Sequence, residues 1–278
     1  MINFNGTLTN STNIELVNNR GFNYGDAIFE TVKVFDSKVL FLEDHYFRLM
    51  ASMRICRMEI AMNFTMEYFE EQILLVSNAL NLTHARVRLT VYRNAAGKYY
   101  PEQNSTQFVA VAEPINEPMY LFSEKPFEVE LFKDFFITKQ LLSTLKTTNK
   151  MEVVLASIFA EENDYNTCLM LNNEKQVIEG VKGNLFMLKG NKLTTPPITD
   201  GCLNGVMRKQ ILAIAKKIED LEVIEESISP FDLQKADELF LTNVISGIQP
   251  ITKYRKKEFK TEFSGRLVNR LNALIRLN

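Results

Sequence analysis

Histidine and cysteine are both scarce in this chain of 278 residues, and their scarcity excludes several kinds of site. The two histidines, His45 and His84, are too few for a metal centre built from several imidazoles. The three cysteines, Cys56, Cys168 and Cys202, lie far apart and form no CxxC pair, which argues against disulfides and a thiolate zinc site. An enzyme with so little histidine needs another acid–base group, and a lysine with a lowered pKa is the natural substitute.

The chain also lacks a strong charge of either sign and any long apolar run. Its 32 basic and 34 acidic side chains leave a net charge of -2, which gives no long-range attraction for nucleic acid or anionic membranes. No apolar run approaches the roughly 20 residues that span a bilayer, and the first residues do not read as a secretory signal. We therefore expect a cytoplasmic protein with no metal and no nucleic-acid or membrane partner.

Apolar residues make up 46% of the sequence, which is enough for a core in one large or two smaller domains. Three prolines between Pro114 and Pro126 predict a linker, with a boundary near 114–125, and we assign 1–118 and 119–278 to two domains. Both strand and helix patterns occur in each part, and no GxGxxG phosphate loop is present. The predicted fold class is therefore α+β.

The predicted elements follow from β-branched runs with alternation and from apolar residues at helical spacing. Strands are expected at 29–35, 86–93, 108–112, 127–132, 168–171, 185–188, 193–195 and 238–244. Helices are expected through 42–53 and 69–80, over about 15 residues that follow Lys146, from 204 to 215, from Ser229 and at 261–277. The helix after Lys146 is expected to have an apolar face made of Met151, Val154, Leu155, Ile158 and Phe159.

Lys146 is the first candidate for chemistry, because it lies between an apolar stretch and the start of an amphipathic helix. Desolvation disfavours the charged ammonium, so a lysine in such surroundings loses its proton more readily and can form a Schiff base. The alternative is that Lys146 only solvates the start of the helix.

Three other places carry candidate groups, each with a structural alternative. Gly205, Val206 and Met207 begin a helix whose free amides and dipole attract a phosphate, unless this is an ordinary loop-to-helix junction. Glu179 fits a carboxylate beside a protonated ring nitrogen, or else an acid on a surface turn. Arg48 is flanked by apolar residues and suits a phosphate clamp, or is one of several solvated arginines of its helix.

The order of these candidates resembles that of the class-IV aminotransferases, which are fold-type-IV enzymes that use pyridoxal 5'-phosphate (PLP). The motifs that carry the resemblance cover essentially the whole chain. In chain order they are Arg20-Gly21-Phe22-x-Tyr24-Gly25-Asp26-x-x-Phe29-Glu30-Thr31, Leu42-x-x-His45-x-x-Arg48-Leu49, Leu145-Lys146-x-x-Asn149, Glu179-Gly180-x-x-x-Asn184-Leu185-Phe186, Thr195-Pro196-Pro197, Gly205-Val206-Met207-Arg208 and Asp237-Glu238-Leu239-Phe240-Leu241-Thr242-Asn243.

The resemblance implies a role for each matching position. Lys146 matches the lysine that binds the cofactor covalently and moves protons, and Glu179 matches the acid that keeps the pyridine nitrogen protonated. The other positions implied in cofactor binding are Arg48, Asn184, Gly205, Val206, Met207, Thr242 and Asn243. We interpret Asn184 and His45 as structural rather than catalytic, with His45 satisfying a hydrogen bond of the core.

The resemblance also implies an architecture and a class of reaction. It implies a small N-terminal α/β domain, a larger C-terminal domain and PLP in the cleft between them. The expected protein is an enzyme that acts on the amino group of a small amino-acid-like substrate, and usually a homodimer. A PLP-binding protein without turnover is the alternative, and the undamaged set of cofactor residues argues against it.

Within the family, three local features favour aminodeoxychorismate lyase, which makes p-aminobenzoate and pyruvate for folate synthesis. They are the motif at 201–208, Val244 where many aminotransferases have a hydroxyl residue, and the charged and aromatic loop at 93–100. Glu179-Gly180 is common among aminotransferases, so branched-chain or D-amino-acid transamination stays open as the alternative.

Four residues are expected at the substrate, namely Phe29, Thr31, Arg93 and Tyr100. A cationic and aromatic loop suits a cyclic dicarboxylate. We expect Arg93 to hold a carboxylate through two hydrogen bonds and a tyrosine of the loop, Tyr100, to line the ring of the substrate.

Overall fold

The computed structural model describes residues 1–10 and 17–277, which form two compact units. The first unit comprises Met1–Pro118 with Lys146–Asn149, and the second comprises Met119–Leu145 with Lys150–Asn278. Four residues in the middle of the chain thus belong to the first unit, although the segments before and after them belong to the second.

The assignment of Lys146–Asn149 to the first unit corrects the domain assignment made from sequence, which placed them in the second domain. Main-chain hydrogen bonds are the reason. The amide of Phe29 donates to the carbonyl of Lys146 at 2.8 Å, and the amide of Thr148 donates to the carbonyl of Ala27 at 3.0 Å. The segment therefore pairs with a strand of the first unit, as an additional short edge.

The first unit is built on a six-stranded antiparallel sheet with the order β2-β1-β6-β5-β3-β4. Its core lies between one face of the sheet, with Ile28 and Val32, and two helices that contribute Leu49 and Ile73. In chain order the elements are β1 (Ile2–Phe4), β2 (Thr7–Thr9), α1 (Arg20–Tyr24), β3 (Ala27–Phe35), β4 (Lys38–Val39), α2 (Leu42–Ile55), α3 (Met66–Ala79), β5 (Ala85–Arg93) and β6 (Thr106–Pro114).

The second unit is built on a ten-stranded mixed sheet. Its elements are β7 (Glu128–Leu131), α4 (Met151–Glu162), β8 (Thr167–Leu171), β9 (Val177–Gly180), β10 (Gly183–Lys189), β11 (Lys192–Thr195), α5 (Val206–Ala215), β12 (Glu222–Glu225), α6 (Pro230–Leu233), β13 (Glu238–Asn243), β14 (Gly247–Ile251), β15 (Lys253–Tyr254), β16 (Lys257–Glu258) and α7 (Glu262–Leu277). Strand β10 pairs with β9, β11 and β13, so the sheet branches there. Over the described residues, no helix combines the length and apolarity needed to cross a bilayer.

Helix α4 is shorter than predicted and buries different residues. It begins at Met151 and spans 12 residues. Met151, Val154 and Ile158 of the expected apolar face are 64%, 50% and 47% exposed, whereas Ala156 and Ala160 are buried. Leu155 and Phe159 of that face pack against the cluster that contains Ala156 and Ala160, so the prediction was right for these two residues and wrong for the other three. The small alanine side chains let the helix pack closely against strand β8.

The segment predicted as a linker forms no helix or strand between 115 and 127, but it is anchored to the second unit by Tyr120. Both main-chain groups of Tyr120 bond to the side chain of Asn272 in α7, and its buried hydroxyl donates to the carbonyl of Val244 at 2.8 Å. Gly247 has a φ of +72°, and a Cβ there would lie 2.7 Å from the Tyr120 ring. Only glycine permits this close contact.

Candidate functional site

The side chain of Lys146 lies beside the ring of Phe29, a residue of the strand β3 that also hydrogen-bonds to the main chain of Lys146. Its Nζ is 4.5 Å from the centre of the Phe29 ring, and its side chain is half-buried. A cation at this distance is attracted to the negative face of the ring. Lys146 therefore does more than solvate a helix start, which is moreover five residues away at Met151.

A buried carboxylate, Glu30, holds the predicted phosphate clamp in place. Arg48 donates from Nε to Glu30 Oε1 at 2.7 Å and from Nη2 to Oε2 at 2.5 Å, and His45 Nδ1 lies 2.7 Å from Oε2. Glu30 and His45 are buried, and the side chain of Arg48 is only 10% exposed. Arg48 is therefore not a solvated arginine of α2, and His45 makes the core hydrogen bond expected of it.

The charge of Glu30 is set by this environment. Burial raises the pKa of Glu30, but Arg48 and the hydrogen bond from His45 outweigh that effect and lower it from 4.5 to about 2. Burial lowers the pKa of His45 from 6.5, so the imidazole is neutral at pH 7 and its Nδ1–H donates to the carboxylate. The guanidinium of Arg48 is thus oriented by a partner that stays ionised.

In the second unit, the sheet register brings three predicted cofactor residues together. Asn184 of β10 pairs with Glu179 of β9 on one side and with Thr242 of β13 on the other. Glu179 Oε2 accepts a hydrogen bond from the amide of Leu203 at 3.0 Å. Glu179 is therefore a half-buried residue of an otherwise buried strand, and the surface-turn alternative does not hold.

The start of α5 offers main-chain donors without a side-chain cap. The helix begins at Val206. Its N-cap residue is Gly205, which has no side chain that could accept a hydrogen bond from the first amides. A Cβ at Gly205 would lie 1.9 Å from Asn184 Oδ1, so only glycine fits. Asn184 also donates to the carbonyl of Leu203 at 2.8 Å. This arrangement fits a phosphate at the amides of Val206 and Met207, with Asn184 shaping the turn before them.

Asn243 shapes the neighbouring turn between β13 and β14. Its Oδ1 accepts from the amides of Ile245 and Ser246 at 3.0 and 2.9 Å, and its Nδ2 donates to the carbonyl of Lys182 at 3.0 Å. The hydroxyl of Thr242 lies 3.5 Å from the carbonyl of Asn184. The side chain of Asn243 therefore ties two turns together, and its predicted contact with a cofactor stays a prediction.

Arg93 does not have the role that the sequence suggested. It is 7% exposed, and its guanidinium donates to Asp26 Oδ2, to Asn104 Oδ1 and to the carbonyls of Cys56 and Arg57. The structure contradicts the expected grip on a substrate carboxylate through two hydrogen bonds, because these four acceptors occupy four of its five N–H groups. Arg93 instead anchors the loop that follows it.

Tyr100 belongs to that loop and is 83% exposed. The loop is held by a second arginine, since Arg20 donates to the carbonyls of Gly97 and Lys98 at 3.0 and 2.5 Å. Arg20 and Arg93 share one acceptor, Asp26 Oδ2, at 2.9 Å each. The loop thus has a fixed base, and the substrate contact of Tyr100 stays a prediction.

Arg88 is a candidate that the sequence analysis missed. Its Cζ lies 3.7 Å from the centre of the same Phe29 ring that Lys146 contacts. Strand pairing places Arg88 opposite Thr31, another residue expected at the substrate. Burial and the charge of Arg86 both lower the pKa of Arg88. The signal in the sequence was the alternation of Arg86 and Arg88 with apolar residues along β5.

The donor set fits the cofactor that the resemblance implies. A lysine amine, a fixed guanidinium and uncapped helix amides are groups that suit an aldehyde and a phosphate, and a carboxylate suits a pyridinium nitrogen. Within residues 1–10 and 17–277, no group of three or more histidine, cysteine or acidic side chains is arranged to hold a metal ion.

Comparison with known proteins shows what the chain is similar to. A family model described as amino-transferase class IV matches residues 27–254. A putative branched-chain-amino-acid aminotransferase of Methanocaldococcus jannaschii is 28% identical over 249 residues, covering 90% of this chain and 82% of the relative. Branched-chain amino acid aminotransferase of Escherichia coli superposes with a TM-score of 0.87 at 24% identity, covering 98% and 93%. The 4-amino-4-deoxychorismate lyase of Pseudomonas aeruginosa superposes with a TM-score of 0.84 at 25% identity, covering 98% of both chains.

The ionised state of Glu30 makes a prediction about stability and pH. Because its folded pKa of about 2 lies below the ordinary 4.5, its contribution to the free energy of unfolding is complete above pH 4.5 and is lost as the pH falls toward 2. We expect this group to account for a loss of about 2 kcal/mol between pH 6 and pH 3. Glu30→Gln removes the titrating group, so the variant should be less stable at pH 6 and lose less on acidification. Urea unfolding at several pH values measures both.

Glu113→Gln is the matched control, because Glu113 is an exposed carboxylate that pairs with an arginine of the same sheet. Its stability should follow that of the unmodified protein with pH. An identical pH dependence in the Glu30→Gln variant would contradict the role assigned to the Glu30 carboxylate.

Proposed function

Because the chain belongs to the class-IV aminotransferase family and is a PLP-dependent enzyme of fold type IV, we propose that it transaminates an α-amino acid. The observation that carries this proposal is Arg88, a cation that shares the Phe29 ring with Lys146 and suits one substrate carboxylate. The aromatic ring beside it suits an apolar substrate body. The name of the Methanocaldococcus relative supports the same reaction.

The lyase reaction on aminodeoxychorismate is the second candidate. It is favoured by the match to the Pseudomonas lyase over 98% of both chains. One of its supports is lost, because Arg93 is bonded to the protein and cannot hold the second carboxylate of such a substrate. We therefore place transamination first.

We propose that Lys146 Nζ is the catalytic group, which binds the cofactor and then moves a proton from the carbon that bears the substrate nitrogen. When bound, PLP supplies an electron-withdrawing ring that accepts the charge left by that proton. Glu179 would hold a proton on the ring nitrogen, and the amide of Leu203 orients its carboxylate. Both residues are needed for fast proton removal under this proposal.

The phosphate would be held by Arg48 and by the amides of Val206 and Met207. The hydrogen bonds to Glu30 fix the orientation of the Arg48 guanidinium. Gly205 has no Cβ, and α5 can therefore begin next to the side chain of Asn184. Thr242, Asn184 and Asn243 support this side through the strand register and the β13–β14 turn.

The first experiment follows the visible absorbance of the purified protein loaded with PLP. Transamination predicts that an L- or D-amino acid added alone bleaches the band and that a keto acid restores it, because amino-group transfer to the cofactor is reversible. Branched-chain amino acids, glutamate and D-alanine are tested separately. Lys146→Ala should abolish both the band and the turnover, while Lys150→Ala keeps them.

Two outcomes would overturn this assignment. If no amino acid bleaches the band but aminodeoxychorismate yields pyruvate, the second candidate is correct. If Lys146→Ala retains normal turnover, Lys146 is not the catalytic group.

Arg88 gives a sharper prediction about substrate binding. Arg88→Gln should raise KM for the amino acid by roughly 10- to 100-fold, because a charge-assisted bond to the carboxylate is lost, and should change kcat much less. Arg86→Gln is the matched control, since Arg86 lies two residues away on the same strand face and pairs with Glu113. Steady-state kinetics measures both, and equal effects of the two substitutions would contradict the proposed role of Arg88.

We also propose that the protein forms a homodimer. Helix α4 exposes Met151, Val154 and Ile158, which lie at helical spacing along one stripe. The preceding short helix exposes Leu141 and Leu142. Several large apolar side chains exposed in this way are typical of a protein–protein contact, and a second copy of the chain is the occupant that the family resemblance implies.

The dimer is tested by light scattering coupled to size exclusion. The unmodified protein should have twice the mass of one chain, and Val154→Glu with Ile158→Glu should shift it to one chain, because the charges cannot be desolvated at the contact. The substitutions Lys216→Glu and Lys217→Glu, on an exposed part of the second unit, are the control. A mass of one chain for the unmodified protein would refute the proposal.

The cytoplasmic location and the expected absence of nucleic-acid and membrane partners stay predictions from the sequence.

A further inference from the structure

The second unit contains a cavity whose lining includes none of the residues assigned to the cofactor or the substrate. Its volume is about 370 Å³, and it lies between the ends of β7 and β8 and helix α6. Its lining includes the buried Leu131 and Leu171, the half-buried Pro230, and the exposed Phe136 and Phe231. The volume falls at the lower end of the about 300–1,000 Å³ typical of ligand pockets.

The position of the cavity separates it from the candidate active site along the strands. Lys175 lines it from the turn before β9, whereas Glu179 lies near the carboxyl end of that strand. Strands β8 and β9 form an antiparallel hairpin, and Lys175 lies in its turn whereas Glu179 lies toward its other end. Because a strand is extended, the two residues are well separated along it. The cavity is therefore a separate feature of this unit.

The rim of the cavity carries three cations and no acid. They are Lys133, Lys175 and Arg255. Arg255 lies 3.5 Å from Glu130, a residue outside the lining. In the part of the chain that the structure describes, neither lysine side chain has a hydrogen-bonding or ionic partner. The acid next to Lys175 in sequence, Glu174, is already paired with Lys139.

Exposed aromatic side chains mark the same place. Phe231 is 77% exposed and Phe136 is 41% exposed. Large apolar side chains on a rim are costly in water unless something covers them, and they are typical of binding surfaces. A mostly apolar cavity with two unpaired lysines in its lining suits a ligand with an apolar body and a negative head.

We infer that this cavity binds a small amphiphilic monocarboxylate, with its aliphatic or aromatic body on Leu131, Leu171 and Phe231 and its carboxylate at Lys133 and Lys175. Besides the cations, the lining residues include one uncharged polar side chain, the exposed Gln234, and so few polar groups suit a compact anion better than a large polar head. The site is independent of the proposed reaction, because none of its residues takes part in it.

Octanoate is the probe, titrated into the PLP-loaded full chain by calorimetry, and 1-octanol is the neutral analogue. We expect saturable binding of octanoate with Kd on the order of 1 mM or tighter, and weaker binding of 1-octanol. The double variant Lys133→Gln with Lys175→Gln should weaken octanoate by about tenfold and leave 1-octanol unchanged. Phe231→Ala should weaken both ligands.

Lys189→Gln with Lys217→Gln removes the same charge from other exposed positions of this unit and should leave octanoate binding unchanged. A saturating amino-acid substrate should not displace octanoate. The inference is overturned by an absence of saturable binding, by equal losses in the two double variants, or by competition with the amino acid. Circular dichroism of each variant shows that it is folded.

Discussion

The alternation of β3 is the constraint on which the chemistry of the first unit depends. Glu30 points to the helices, where it holds Arg48 and His45 in the core. Phe29, one residue earlier, points to the opposite face and contacts Lys146 and Arg88. The edge of the same strand pairs with the main chain of Lys146. A shift of one residue in register would exchange these faces, so the strand pairing with β5 fixes all three contacts at once.

A second register has the same importance in the second unit. Strand β10 lies between β9 and β13, and Asn184 at its start therefore has Glu179 and Thr242 as neighbours. The side chain of Asn184 then limits what can stand at Gly205, where α5 begins. A carboxylate and an uncapped helix start are thus positioned by one asparagine. Any larger residue at Gly205 would collide with Asn184 and displace the turn. The position of this helix start therefore depends on the glycine and the asparagine, and the helix dipole adds its attraction for an anion to that geometry.

Much of this could be predicted from the sequence, because most strands and helices follow local apolar spacing. The family motifs also pointed to Lys146, Glu179 and the start of α5 as cofactor groups, since their order along the chain is characteristic, and these assignments stay predictions. The errors were of another kind. Along β5, side chains alternate between the two faces of the sheet. Arg93 falls on the same face as the buried Val87 and Leu89, whereas Arg88 falls on the other face. Motif similarity placed Arg93 at the substrate, but alternation along the strand favoured Arg88. The acceptors that hold Arg93 come from residues distant in sequence, which no local pattern shows.

The cations available to a substrate carboxylate are what separates the candidate reactions, since both would use Lys146 for proton removal under the proposal made above. A substrate with two carboxylates needs two cationic partners, or one cation and a set of neutral donors, for its charges to be desolvated. Arg93 is bonded to Asp26 and to main-chain carbonyls, and Arg48 is the group proposed to hold the phosphate. Arg88 donates from Nε to Thr90 Oγ1 at 3.4 Å and lies over the Phe29 ring, and neither a hydroxyl nor a ring satisfies a guanidinium as fully as an anion does. A carboxylate would complete the environment of Arg88, and this is the contact on which the proposal of an α-amino acid substrate depends.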